Sequence, residues 1–172
     1  MKRFYFLSVW IGWMVSCLIW PEISRAQNRI CDGSIGAVTV GSISIPDGAS
    51  CVLRGIRVRG NLWVGVNATL VASEVRIAGN VEATGATQVR ITFFSVVGGN
   101  IQVQRSRNVL VSATRVNGNV VLAGNRGNVS VRGSEIVGNL EILRNTGKIL
   151  IRNNRLGGSL ICRQNQQYSC LE

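Results

Sequence analysis

The sequence predicts an all-β fold, a right-handed parallel β-helix of about six to seven coils with three short strands per coil. Three observations predict it. First, Gly-Asn recurs at Gly60-Asn61, Gly79-Asn80, Gly99-Asn100, Gly118-Asn119 and Gly138-Asn139, between an opening Gly41-Ser42 and a closing Gly158-Ser159. The intervals are 19, 19, 20, 19, 20 and 20 residues, a fixed period of the size that marks a solenoid. Second, apolar residues alternate with polar ones in register with that period. Third, nothing after residue 26 holds a 3.6-residue apolar period long enough for a helix.

Each repeat supplies its strands in the same order. Two and four positions after the glycine stand apolar pairs such as Leu62 and Val64, Ile101 and Val103, or Leu140 and Ile142. Half a repeat later comes a second pair, for example Leu70 and Ala72, Val109 and Val111, or Ile149 and Ile151. A third inward position lies two before the next glycine: Val58, Ile77, Val97, Val116, Ile136 and Leu156. Alternation of this kind is a short strand with one buried face. Equivalent strands stack at ~4.8 Å, so residues one repeat apart form columns. The Gly-Asn column is then an asparagine ladder. Glycine there permits a left-handed bend, and stacked amides hydrogen-bond along the rod.

The Gly-Asn-apolar-x-apolar period resembles that of secreted right-handed parallel β-helix proteins over about Ser42 to Cys162, nearly the whole chain after residue 26. It also loosely resembles the bactofilins, polymer-forming bacterial β-helices, from which an export signal and disulfides set it apart. The rival architecture is a leucine-rich repeat, because Ile149-x-Ile151-x-x-Asn154-x-Leu156 matches half of that motif. The match weakens in earlier repeats, where the Asn154 position is Ser134 or Thr114.

Residues 1–26 have the grammar of a secretory signal: Lys2 and Arg3, an apolar run from Phe4 to Trp20, and Ser24-Arg25-Ala26. Cleavage after Ala26 is predicted. The alternatives are a retained anchor helix and lipid attachment at Cys17. Residues 27–172 then form one domain, with no stable membrane span, in the periplasm or outside the cell. Cleavage leaves Cys31, Cys51, Cys162 and Cys170, an even set that predicts two disulfides in an oxidising compartment. Three pairings are possible, and Cys31–Cys51 with Cys162–Cys170 is the simplest. Cys31 and Cys51 are one 20-residue repeat apart, so they are expected to stack as equivalents and staple the first coil. A Cys162–Cys170 bridge would fold the chain across the other open end, where unpaired strand edges need cover.

Composition limits the chemistry. The chain has no histidine, which removes Ser-His-Asp triads and His-ligated zinc. β-Helix enzymes include polysaccharide lyases and hydrolases, which use paired carboxylates or calcium with arginine. Here Glu82 and Glu141 fall in one outward column but three coils apart, at ~14 Å, against the ~5–9.5 Å that glycosidases need. No catalytic residue, cofactor or metal site is predicted. Few aromatics interleave with the cations, so specific nucleic-acid binding is not predicted either.

The positive feature is charge. The full chain has 19 Lys+Arg and 8 Asp+Glu, a net +11. Loss of Lys2, Arg3, Arg25 and Glu22 leaves 16 against 7, a net +9, and Lys148 is then the only lysine. Three before each repeat glycine lie Arg57, Arg76, Val96, Arg115, Glu135 and Arg155, an outward column with four arginines. A second cluster, Arg105, Arg107, Arg126, Arg144 and Lys148, falls on the bend after the first strand. Stacked like charges repel unless an anion relieves them, and guanidinium forks suit carboxylate, sulfate and phosphate. The expected function is a non-catalytic secreted binding module whose arginine face meets acidic polysaccharide or other cell-envelope anions. The first alternative is a scaffold or adhesion protein acting through protein contacts, for instance at the column holding Trp63, Val121 and Ile161. The second is a degenerate polysaccharide-active enzyme. Against all three stands a plain solvated basic coat, since outward residues of a solenoid must be polar.

Overall fold

A computed structural model describes residues 27–166 and Cys170. The predicted signal, its cleavage site and Cys17 lie outside the described residues, as do residues 167–169 between the last two cysteines. The described chain is all β, wound into a parallel solenoid of about seven coils. Its strands sort into three sheets of eight, seven and seven. Each coil visits the first, second and third sheet in turn, as in Leu62–Val64, Thr69–Ser73 and Arg76–Ile77. Every strand pairs in parallel with its equivalent in the next coil. A leucine-rich repeat is excluded, because such a repeat builds one sheet, whereas three sheets close each coil here. No described helix is long and apolar enough to cross a membrane.

The alternation in the sequence is the cause of the core. In the first sheet Leu62 and Val64 point inward and Trp63 outward. In the second sheet Leu70 and Ala72 are buried, and in the third Ile77. Repeated up the rod, these positions make one continuous apolar column. Its largest fully buried members run from Ile43 to Leu140, so residues 27–166 carry a closed core of their own.

The asparagine ladder is present, with a different bond from the one expected. Each side-chain carbonyl accepts from the backbone N–H of the next asparagine one coil on. Asn61 Oδ1 takes the Asn80 N–H at 2.8 Å, and Asn80, Asn100 and Asn119 continue the series. Asn28 Oδ1 starts the run on the Ser42 N–H, Ser42 Oγ carries it to Asn61, and Asn139 Oδ1 ends it on Ser159. The glycines also serve another purpose than predicted. None of Gly60, Gly79, Gly99, Gly118, Gly138 and Gly158 has positive φ. A Cβ on Gly79 would instead collide with Asn61 Oδ1 and lie 2.8 Å from the Gly60 carbonyl oxygen. Glycine is needed because the backbones of successive coils approach too closely for a side chain. Left-handed residues sit at the other two corners, for example Asn67, Gly85 and Arg105 at one and Gly55, Glu74 and Ala113 at the other.

Those corners carry two further ladders, which begin where Ser95 Oγ accepts from the Val75 N–H and Ser106 Oγ from the Ala86 N–H, and gain asparagines in the later coils. Between the first and second sheets, Asn125 and Asn145 are fully buried. Asn125 Oδ1 accepts from the Ser106 N–H, and Asn125 Nδ2 donates to the Val103 carbonyl. Asn145 repeats both contacts one coil on. Between the second and third sheets, Ser134 Oγ accepts from Thr114, and Asn154 Oδ1 accepts from Ser134.

The disulfides are Cys31–Cys51 and Cys162–Cys170, with Cα separations of 5.6 and 6.4 Å. Such bridges persist in oxidising compartments. The expectation that Cys31 and Cys51 are stacked equivalents is wrong, because the first coil is short. Arg29 pairs with Ile43 and Gly33 with Cys51, offsets of 14 and 18 residues. Cys31 lies on the bend between those two strands and reaches diagonally to Cys51, still inside the core. Cys162 stacks on Ile142 as an inward residue, and Cys170 packs against the core from the open end.

Candidate anion-binding face

The third sheet places Thr39, Arg57, Arg76, Val96, Arg115, Glu135 and Arg155 in one outward column, in register throughout. This is the column the sequence predicts, and each arginine in it is exposed. The geometry divides it. In the C-terminal part Arg115 Nη1 donates to Glu135 Oε2 at 2.8 Å, and Arg115 Nε donates to Asn117 Oδ1 at 3.2 Å. Arg155 stacks on the far side of Glu135. Charges there alternate in sign. In the N-terminal part Arg57 and Arg76 are direct register neighbours, and neither has an ion-pair or hydrogen-bond partner among the described residues. They border a shallow groove of about 520 Å³ that also meets Arg59, Val96 and Gly98. The small residues Ala78 and Gly98, in the coils after Arg59, leave that groove open. Arg59 was not singled out by the column pattern, because it lies one residue past the last strand position.

The second predicted cluster is elsewhere. Arg105 and Arg144 share a corner column between the first and second sheets, separated by Gly124. Arg107 and Arg126 follow them around that corner, and Lys148 opens the next strand column over Asn128. In a three-sided coil that corner is the vertex opposite the third sheet. The two basic sets therefore cannot hold one straight chain together. A further stacked pair, Arg132 and Arg152, ends the second-sheet strands and was also missed. Its signal was the outward phase of that strand, legible once the strand bounds are known.

Glu82 and Glu141 occupy one outward column of the first sheet with Gln102 and Val121 between them, three coils apart as expected. Trp63 stands in the same column, partly exposed. Among the described residues no group of three or more His, Cys, Asp or Glu side chains could hold a metal ion. The chain matches no protein-family model, no curated protein and no solved structure.

Proposed function

We propose that the protein is an exported, non-catalytic binding module that holds acidic polysaccharide or a comparable cell-envelope polyanion along its third sheet. The carrying observation is the unrelieved Arg57–Arg76 pair over an open groove. Two guanidinium groups in adjacent coils repel each other, and a multivalent anion removes that cost while accepting forked hydrogen bonds. The residue spacing along the column, ~4.8 Å per coil, suits a linear ligand with regularly placed charges. The disulfides and the signal-like N-terminus support a site outside the cytoplasm.

The test is binding of the chain from Gln27 onward to polygalacturonate across a salt series, with duplex DNA as a charge control. A variant with Arg57, Arg76, Arg115 and Arg155 replaced by Gln runs alongside. Tighter binding of the polysaccharide than of DNA, lost in the variant, supports the reading. Equal binding of both polymers, or a variant that behaves as wild type, reduces the arginines to a basic coat.

A further inference from the structure

The corner between the second and third sheets is turned by one left-handed residue in most coils: Gly55, Glu74, Ala113, Gly133 and Asn153. In one coil it is turned by two, Phe93 and Phe94, both with φ 53°. Bulky residues rarely adopt this backbone, and five equivalent corners manage without them. Both rings face solvent, Phe93 63 % and Phe94 85 % exposed. Their backbones are nevertheless fixed. The Glu74 N–H donates to the Phe93 carbonyl, and the Phe94 N–H donates to the Ala113 carbonyl. The rings thus project from a rigid ridge rather than from a loose loop.

That ridge is cationic on both flanks. On the second-sheet side, Arg54, Arg132 and Arg152 end their strands in one column with Ser73, Thr92 and Ser112. On the third-sheet side runs the arginine column described above. Seven arginines face two carboxylates, Glu74 and Glu135, a net +5 along the ridge. Paired exposed aromatics within a cationic surface are the composition of an interfacial membrane contact. The rings enter the headgroup–acyl boundary and the arginines meet anionic headgroups.

We propose that Phe93 and Phe94 form a wedge that seats the rod lengthwise on an anionic lipid surface. This goes beyond the polysaccharide reading, with which it shares only the third-sheet arginines.

The experiment uses the chain from Gln27 onward with both disulfides intact. It is sedimented with vesicles of phosphatidylcholine alone or of equal parts phosphatidylglycerol and phosphatidylcholine. Polygalacturonate binding is measured in parallel. Wild type is expected to bind the mixed vesicles and not the neutral ones. F93N/F94G suits the left-handed corner, so its Tm should equal or exceed that of wild type. It keeps every arginine, yet should lose vesicle binding by about tenfold or more. F93L/F94L should keep most of it. If F93N/F94G sediments with the mixed vesicles within about twofold of wild type, the wedge is overturned. It is equally overturned if wild type ignores those vesicles while binding polygalacturonate, an outcome that leaves the polysaccharide reading standing. Phenylalanine-dependent vesicle binding without polygalacturonate binding supports the wedge and overturns the polysaccharide reading instead.

Discussion

The N-terminal and C-terminal halves of the rod share one backbone and meet two problems differently. Outside, the third-sheet column leaves Arg57 beside Arg76 in the first half, whereas Glu135 separates Arg115 from Arg155 in the second. Inside, early corners are apolar, with Ile56, Val75, Ala68 and Ala86 buried, whereas later ones hold Asn125, Asn145 and Ser134. In the C-terminal half the third-sheet column is thus neutralised and the corners are hydrogen-bonded, while Arg132 and Arg152 stay stacked as like charges on the second sheet. The N-terminal half has a simpler interior and leaves its third-sheet column unneutralised. The difference teaches that regular repetition of backbone does not spread function evenly along a solenoid. Function is expected where a column is left electrostatically incomplete.

The interior contrast can be broken most severely at Asn125. Asn125→Ala should destabilise by about 3 kcal/mol in urea unfolding, because it orphans the buried Ser106 N–H, removes a second bond to the Val103 carbonyl and leaves a buried gap. Ala86→Ser, at the matching corner of an early coil, should cost no more than about 1 kcal/mol. Equal losses at the two sites would erase the distinction between the interiors. Next in size is the close approach of coils at the ladder. Gly79→Ala should cost about 2 kcal/mol through collision with Asn61 and the Gly60 backbone. Gly36→Ala, where an added Cβ meets nothing within 4 Å, should be near neutral. A neutral Gly79→Ala would return the repeat glycines to the role of flexible bends.

The surface contrast is sharpened by splitting the arginine column. R57Q/R76Q should weaken polygalacturonate binding by about tenfold at low salt, and R115Q/R155Q by about twofold. The reverse order would place the site on the C-terminal half. The smallest effect is expected from Glu135→Gln, which releases Arg115. Titration calorimetry should show about twofold tighter polyanion binding, with a stability loss below about 1 kcal/mol, because the Arg115–Glu135 pair is exposed on both sides, 51 % and 43 %. An unchanged affinity would mean that the second half of the column never meets the ligand.

Much of this geometry was legible in the sequence. Val58, Ile77 and Val116 were predicted inward and are buried, which placed Arg57, Arg76 and Arg115 outward by phase alone. Other features were hidden because they depend on local slips. The extra residue of one 20-residue interval falls at Phe93 and Phe94, between the pairings of Thr92 with Ser73 and Val96 with Arg76, and the period registers such an insertion without saying where the chain is extruded. The first coil is shorter than the repeat, so the Cys31–Cys51 spacing of 20 suggested a stacking that the pairing of Gly33 with Cys51 forbids.

By itself, then, the sequence determined the solenoid, its three strands per coil and which residues share a column. A period repeated in register carries straight into a parallel hydrogen-bond ladder, so no long-range information is needed. Only the tertiary structure decided which neighbours in a column meet. It paired Arg115 with Glu135 while leaving Arg57 against Arg76, made glycine obligatory beneath each asparagine, and pushed Phe93 and Phe94 into solvent between two arginine columns. Those outcomes turn on coil-to-coil separations of a few ångströms, a dimension that periodicity along the chain does not contain.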